Sequence, residues 1–162
     1  MKIIRKMKLW LGIVPLGLVL DQVSKIMVKK YLVNPVVIID DWFGFYYTEN
    51  TGAAWSVLAD KTWLLALISF VACAIIAFFY FRYDKLSRWV KCGLVLVFTG
   101  ALGNGIDRLF RGYVIDFIQL NFFKLFGGIF PIFNIADIFV TIGAIVLIIG
   151  LIFFDNEGRK HE

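Results

Sequence analysis

The chain of 162 residues is 60% hydrophobic and 17% aromatic, with a mean hydropathy of +0.82. Soluble domains are roughly 45–50% apolar, so this composition excludes an ordinary water-soluble globule and indicates a membrane protein. The net charge of +5 does not indicate nucleic-acid binding, because the basic residues flank apolar runs instead of forming a solvated face. We therefore expect no nucleic-acid partner. The length suits one bundle, so we expect a single membrane domain over residues 1–162.

Four apolar runs divide the chain, each close to the roughly 20 residues that cross a bilayer as a helix. The predicted helices cover about residues 9–28, 63–81, 90–108 and 132–154. Clusters of Lys and Arg flank these runs at 2–8, 82–91 and 159–160. The positive-inside rule assigns such clusters to the cytoplasm, so both termini are expected on that side. No small-x-small cleavage site follows the first run, which is therefore predicted to be a retained anchor.

Two segments between the helices are too irregular to span a membrane. Residues 33–60 contain β-branched and aromatic runs separated by turn residues such as Pro35 and Gly44, a pattern typical of short strands. Their aromatic side chains favour a platform in the membrane interface. Residues 109–131 have a similar aromatic composition, and Gly127–Gly128 is expected to be a hinge. The expected fold class is therefore an all-α membrane bundle of four transmembrane helices with a small extracytoplasmic β-sheet cradle.

Several polar residues fall at a similar depth in this topology. Counting about 1.5 Å per residue from the basic ends places Asp21, Asn104, Asp107 and Asp137 in the outer half of the bilayer. The second run has no Asp, Glu, Lys, Arg or His between residues 63 and 81. Carboxylates at membrane depth are energetically costly and usually functional. The sequence therefore predicts one polar site at the outer ends of helices one, three and four.

Helical spacing indicates which acids have a local partner. Asp21 and Lys25 are four residues apart, as are Asp107 and Arg111, and residues at this spacing share a helix face. Both acids are therefore expected in structural ion pairs.

Asp116 and Asp137 differ, because no basic residue lies within four positions of either one. A buried carboxyl with no partner costs several kcal/mol or takes up a proton. Two such acids brought together can share one proton, as in aspartic proteases, where one acts as base on water and the other donates to the scissile carbonyl. The alternative is a buried, hydrogen-bonded pair with no catalytic role.

Four other classes of protein fit these residues less well. A proton- or ion-coupled membrane carrier also uses intramembrane aspartates, but the apolar inner halves of the helices disfavour a conduction path. A Ser–Lys peptidase would need Ser24 or Ser56 against Lys25, which is expected to pair with Asp21. The single histidine, His161, sits in the charged tail, which leaves no histidine for a Ser-His-Asp triad and no histidine pair for a zinc site. No metal or cofactor is expected.

Five sequence elements, in one order over nearly the whole chain, resemble a known family. They are DQVSK at 21–25, NTGAAWS at 50–56, GALGNGIDR at 100–108, GYVIDF at 112–117 and FNIAD at 133–137. Together they resemble the lipoprotein signal peptidases, the bacterial signal peptidase II family. Trp55, where phenylalanine is usual, and Gly105, where a bulkier apolar residue is common, depart from the family pattern but remove no acid.

The resemblance implies that Asp116 and Asp137 form a catalytic dyad in a single membrane peptidase domain. It implies that nine further residues shape the site, bind substrate or support the wall of helix one: Asn50, Gly52, Asn104, Asp107, Arg108, Asn134, Ala136, Asp21 and Lys25. The implied substrate is a prolipoprotein with a diacylglyceryl cysteine, cut just before that cysteine. The enzyme is expected in the bacterial cytoplasmic membrane, in contact with phospholipid, with its active site extracytoplasmic. Lateral access for such a substrate favours a monomer.

Overall fold

A computed structural model of the chain describes residues 2–40, 42–52, 60–120 and 131–154, with side chains from Trp10 onward. In chain order the elements are α1 (Lys2–Tyr31), β1 (Val36–Ile39), β2 (Phe43–Asn50), α2 (Thr62–Arg82), α3 (Arg88–Arg111), β3 (Val114–Leu120) and α4 (Ile135–Ile149). A π-helical turn, Gly150–Phe154, continues α4. Among the described residues, four helices are long and apolar enough to cross a membrane: Trp10–Tyr31, Thr62–Arg82, Arg88–Arg111 and Ile135–Phe154.

The four predicted spans are confirmed, and the structure corrects some of their limits. α1 continues to Tyr31, because Lys29 and Lys30 in its last turn suit the negative end of the helix dipole. α3 continues to Arg111 and ends at Gly112, whose φ of 78° is a left-handed cap conformation that glycine adopts without strain. α4 begins at Ile135 rather than at 132, because the preceding Asn134 is its N-cap.

α3 is the central helix and packs against α1, α2 and α4. Its contact with α4 brings the two backbones together. A Cβ atom at Gly100 would lie 2.2 Å from the carbonyl oxygen of Ala136, and one at Gly143 would lie 2.7 Å from the backbone nitrogen of Val97. Small residues permit such close approach in membrane bundles. This contact fixes the first turn of α4 against the middle of α3.

The three strands form one antiparallel sheet in the order β1-β2-β3. β1 and β2 confirm the strands predicted within residues 33–60, whereas β3 comes from the second irregular segment, outside that range. In the ladder between β2 and β3, Asn50 lies opposite Val114 and Thr48 opposite Asp116. The end of β2 therefore lies beside Asp116. Residues 53–59, which include Trp55, and the expected hinge at Gly127–Gly128 lie outside the described residues.

A short backbone bridge joins β3 to the start of α4. The N–H groups of Phe117 and Ile118 both donate to the carbonyl oxygen of Phe133, at 3.0 and 2.8 Å. The N–H of Phe133 donates in return to the carbonyl oxygen of Ile118 at 3.0 Å. Because Asp116 precedes this bridge on one side and Asn134 follows it on the other, their side chains come together.

Candidate active site

Asp116 projects from β3 into a nearly closed environment, where only 4% of the residue is exposed. Its Oδ2 accepts a hydrogen bond from Asn50 Nδ2 at 2.9 Å, and its Oδ1 accepts one from Asn134 Nδ2 at 2.6 Å. Burial and, to a smaller extent, the charge of Asp137 raise the pKa of Asp116 to about 6, against the opposing effect of the two amide hydrogen bonds. A carboxyl of this kind can hold or release a proton near neutral pH.

Asp137 occupies the third position of α4 and forms a reciprocal capping box with Asn134. The backbone N–H of Asn134 donates to Asp137 Oδ2 at 3.0 Å, and the backbone N–H of Asp137 donates to Asn134 Oδ1 at 3.0 Å. The other carboxyl oxygen, Oδ1, accepts from Asn104 Nδ2 at 2.8 Å. Asp137 is therefore held by two elements, the start of α4 and the middle of α3.

Asn134 joins the two aspartates. Its backbone N–H binds Asp137, while its fully buried side-chain amide donates to Asp116 and, at 3.2 Å, to Asn104 Oδ1. The structure thus brings Asp116 and Asp137 together, as the sequence predicts, through a residue that contacts both.

Lys25 lies at the centre of the ionic part of the site and is fully buried. Its Nζ donates to Asp21 Oδ2 and to Asn104 Oδ1, both at 2.9 Å, which confirms the expected pair with Asp21. Its Nζ also lies 2.8 Å from Asp107 Oδ2 as an ion pair. Arg111 pairs with the other oxygen of Asp107, as its spacing predicts. Lys25 therefore links helices that are far apart in the sequence.

Asp21 and Gln22 extend this network to the neighbouring helices. Asp21 Oδ1 accepts the backbone N–H of Ala136 at 3.0 Å, so the acid on α1 holds the first turn of α4. Gln22 Nε2 donates to Asp21 Oδ2 and to Asp107 Oδ1, both at 3.0 Å, and Gln22 Oε1 accepts from Arg111 at 2.9 Å. Gln22 is a site residue that the sequence pattern does not single out, although its place between Asp21 and Lys25 in the DQVSK element is a usable signal.

Arg108 connects α3 to the end of β2. Its Nη2 donates to the carbonyl oxygen of Gly52 at 3.1 Å, and the N–H of Gly52 donates to Asn50 Oδ1 at 2.9 Å. The amide of Asn50 is thereby oriented with its Nδ2 toward Asp116.

Charges balance across the described part of this site when one proton is present. It contains four carboxyls and three cations: Asp21, Asp107, Asp116 and Asp137 with Lys25, Arg108 and Arg111. Because a net buried charge is costly, the cluster favours a state in which one carboxyl is protonated. The arrangement can therefore supply one ionised acid and one protonated acid at the same place.

Ser24 does not complete a Ser–Lys pair in this arrangement. Its Oγ donates to the carbonyl oxygen of Asp21 at 2.7 Å, while Lys25 Nζ contacts Asp21, Asp107 and Asn104. The other candidate, Ser56, and the single histidine, His161, lie outside the described residues.

Comparison with known proteins decides the family. A family model described as "Signal peptidase (SPase) II" matches residues 13–153. The chain belongs to the signal peptidase II family.

Similar proteins of this family support the assignment over most of the chain. A "Lipoprotein signal peptidase" of Clostridium tetani is 41% identical over 151 residues, which covers 91% of this chain and 96% of the relative. One of Pseudomonas paraeruginosa is 42% identical over 156 residues, with 93% and 91% covered. A solved structure described as "Bacterial membrane enzyme structure by the in meso method at 2.3 A resolution" superposes with a TM-score of 0.80 at 33% identity. It covers 93% of this chain and 90% of that one.

Membership of the signal peptidase II family establishes the class of activity. The protein is a protease, an aspartic-type hydrolase, and a multi-pass bacterial membrane protein with four helices able to span the membrane. The predicted family and enzyme class are confirmed. The alternative of a proton- or ion-coupled carrier has no support from these comparisons.

Proposed function

We propose that this signal peptidase II is an intramembrane aspartic endopeptidase that cleaves diacylglyceryl-modified prolipoproteins just before the lipid-bearing cysteine. The observation that carries the proposal is the junction at Asn134, which hydrogen-bonds both Asp116 and Asp137. The printed name of its relatives, lipoprotein signal peptidase, supports the substrate class.

The dyad supplies the two proton transfers that peptide hydrolysis needs. As water attacks the scissile carbonyl carbon, an ionised carboxylate takes its proton, and the protonated partner donates to the carbonyl oxygen. The tetrahedral intermediate collapses when the C–N bond breaks. The first acid then gives its proton to the leaving amine of the cysteine, and the second recovers its own from the intermediate's hydroxyl. The signal peptide leaves with a new carboxyl terminus, and the dyad returns to its starting state.

The remaining predicted residues are proposed to position the dyad or the substrate. Asn50, Asn104 and Asn134 hold the carboxyls through the hydrogen bonds described above. Gly52, just after β2, and Arg108 on α3 are proposed to contact the substrate peptide, since they border Asn50 and Asp116.

The other four predicted residues form a wall behind the dyad that joins α1, α3 and α4. They are Asp21, Lys25, Asp107 and Ala136, linked by the ion pairs and by the hydrogen bond from the Ala136 N–H. We propose that this wall supports the site and does not contact the scissile bond.

The proposed placement puts both termini in the cytoplasm and the active site toward the extracytoplasmic face. Its support is the basic clusters at the predicted cytoplasmic ends and the location of the dyad where α3, β3 and α4 meet. Exposed apolar side chains on α1, such as Leu16, Val23 and Ile26, suit contact with phospholipid acyl chains. We propose a single peptidase domain over residues 1–162 that acts as a monomer, with a lipidated substrate arriving laterally.

A matched pair of substrates tests this proposal. A diacylglyceryl-modified prolipoprotein and its unlipidated twin are incubated with the purified enzyme in detergent, and products are mapped by mass spectrometry. Cleavage of the lipidated form alone, between the residue before the cysteine and the cysteine, is expected. Equal cleavage of both forms would contradict the proposed substrate class. A different cut position would contradict the proposed specificity.

A further inference from the structure

The contacts of Lys25 indicate which aspartate of the dyad is ionised and which is protonated in the resting enzyme. This inference rests on the proposed function. We propose that Lys25 is a positioning residue that acts through the side-chain amide of Asn104 to keep Asp137 ionised, so that the proton of the resting enzyme resides on Asp116.

The first step is the orientation of Asn104. An ammonium group has only donors, so the atom of Asn104 that faces Lys25 Nζ at 2.9 Å must be its oxygen. Asn134 Nδ2 donates to the same oxygen at 3.2 Å. The amide therefore has its NH₂ group on the opposite side, where it donates to Asp137 Oδ1 at 2.8 Å. Lys25 thus determines that Asp137 receives a donor from α3.

The second step is the environment of Asp137 itself. Both of its oxygens accept N–H groups, one from Asn104 and one from the backbone of Asn134 at the start of α4. A carboxylate that accepts such bonds is favoured over its protonated form, and the positive end of a helix dipole adds to this preference. The group at this position is best suited to be the anion.

Asp116 also accepts two amide N–H bonds, but it is not part of the capping box of α4. It lies in a strand, and both of its donors are neutral side-chain amides, those of Asn50 and Asn134, whereas Asp137 lies in the first turn of α4 and accepts a backbone N–H. Its burial, which raises the pKa of Asp116 to about 6, agrees with a resting proton on this side.

Charged groups face the dyad, or lie behind it, from α1 and α3. Among the described residues they are Asp21 and Lys25 from α1 and Asp107, Arg108 and Arg111 from α3, while β2 contributes the neutral Asn50. Asp21 and Asp107 are paired with cations, which leaves the dyad as the place where the balancing proton is held.

The assignment gives each acid one role in catalysis. Asp137 takes the proton of the attacking water and later gives it to the leaving amine. Asp116 donates its proton to the carbonyl oxygen and takes it back when the C–N bond breaks.

Infrared titration of the resting enzyme tests the location of the proton without any turnover. Wild type, Asp116→Asn and Asp137→Asn are scanned from about pH 4 to about pH 8 for the carboxylic-acid C=O band of the dyad. The band that titrates near 6 in wild type should be absent in Asp116→Asn. It should remain in Asp137→Asn with a lower midpoint, since a neighbouring negative charge has been removed. A band that remains in Asp116→Asn, or that is missing from Asp137→Asn, overturns the assignment.

Lysine variants test the positioning role. Lys25→Met should move the acidic limb of the kcat/KM pH profile upward by about one pH unit, because the base then ionises less readily. Lys25→Arg should restore part of the shift. Lys29→Met, one turn along the same helix on an exposed residue, is the matched control and should leave the limb unchanged.

A purely structural role for Lys25 would lower the yield of folded protein but would not move the pH profile. If Lys25→Met does not fold, Asn104→Leu tests the same link, because it removes the amide and keeps the ion pairs of Lys25. A folded variant of either kind with the wild-type acidic limb would contradict the positioning role. If wild type cleaves no prolipoprotein, the infrared titration still decides where the proton resides, so the two proposals fail separately.

Discussion

Gly100 on α3 is the position where a single methyl group should disturb the site without touching it. A Cβ at Gly100 would lie 2.2 Å from the Ala136 carbonyl oxygen, 2.7 Å from Val140 Cγ2 and 3.0 Å from the Val140 nitrogen. Ordinary contact begins near 3.4 Å. Because two of the three atoms belong to the backbone of α4, Gly100→Ala must separate α3 and α4 by about 1 Å to relieve the clash.

The separation would act on the dyad directly. Asn104, one turn along α3, donates to Asp137 Oδ1 at 2.8 Å, and a further 1 Å would stretch this contact beyond hydrogen-bond range. Misplacement of a catalytic group by about 1 Å can lower the rate by about 100-fold. Overpacking should also destabilise the fold by about 1–3 kcal/mol. We therefore expect kcat of Gly100→Ala to fall by about two orders of magnitude.

The assay is steady-state cleavage of a lipidated prolipoprotein, together with thermal unfolding in the same detergent. Gly12→Ala on α1 is the matched control, because a Cβ there meets no atom within 4 Å. This control should retain wild-type turnover. A Gly100→Ala enzyme with wild-type kcat and unfolding temperature would refute the argument that the close contact between α3 and α4 positions the dyad.

Further predictions concern the raised pKa of Asp116, the contacts of Asp21 and the N-cap of α3 at Ser87. Relative to Asp116→Asn, which does not titrate in this range, wild type should lose roughly 2.4 kcal/mol of unfolding free energy as the pH rises from about 4 to about 7. The reason is the raised pKa of Asp116, because the proton on its carboxyl stabilises the fold fully below about pH 3.8 and no longer does so above about pH 6. Parallel curves of stability against pH for the two proteins would contradict this. Asp21→Asn should reduce the yield of folded enzyme more than its kcat, because Asp21 pairs with Lys25 and caps Ala136; a normal yield without turnover would oppose this role. Ser87→Ala removes the oxygen that accepts the N–H of Val90 at the start of α3, and should cost about 1 kcal/mol without changing kcat, as denaturant titration and cleavage rates can establish.

Local patterns in the sequence predict a large part of this structure. The four spans follow from runs of apolar residues, and the Asp21–Lys25 and Asp107–Arg111 pairs follow from a spacing of four on one helix. The prediction that Asp137 belongs to the site follows from its depth and its apolar neighbours. Each of these features depends on residues close in the chain, where helix geometry alone determines proximity.

Contacts between distant segments could not be predicted in this way. Nothing in the spacing indicates that Lys25 reaches Asn104 and Asp107 on another helix, or that Asn50 reaches Asp116 across the sheet. These contacts depend on the close packing of α3 with its neighbours and on the register of β2 with β3. The apolar run predicts a start of α4 that is three residues too early, although Asn134 followed three positions later by Asp137 is a recognisable capping pattern.

Single-turnover cleavage of a lipidated prolipoprotein by Asp116→Asn and Asp137→Asn, with folding verified by size exclusion and thermal unfolding, tests whether the two aspartates form the catalytic dyad. Wild type and Gly12→Ala are run in parallel. We expect cleavage by both of these controls and a loss of at least about 1,000-fold in each folded dyad variant. Cleavage at the wild-type rate by either folded variant would remove that aspartate from the dyad.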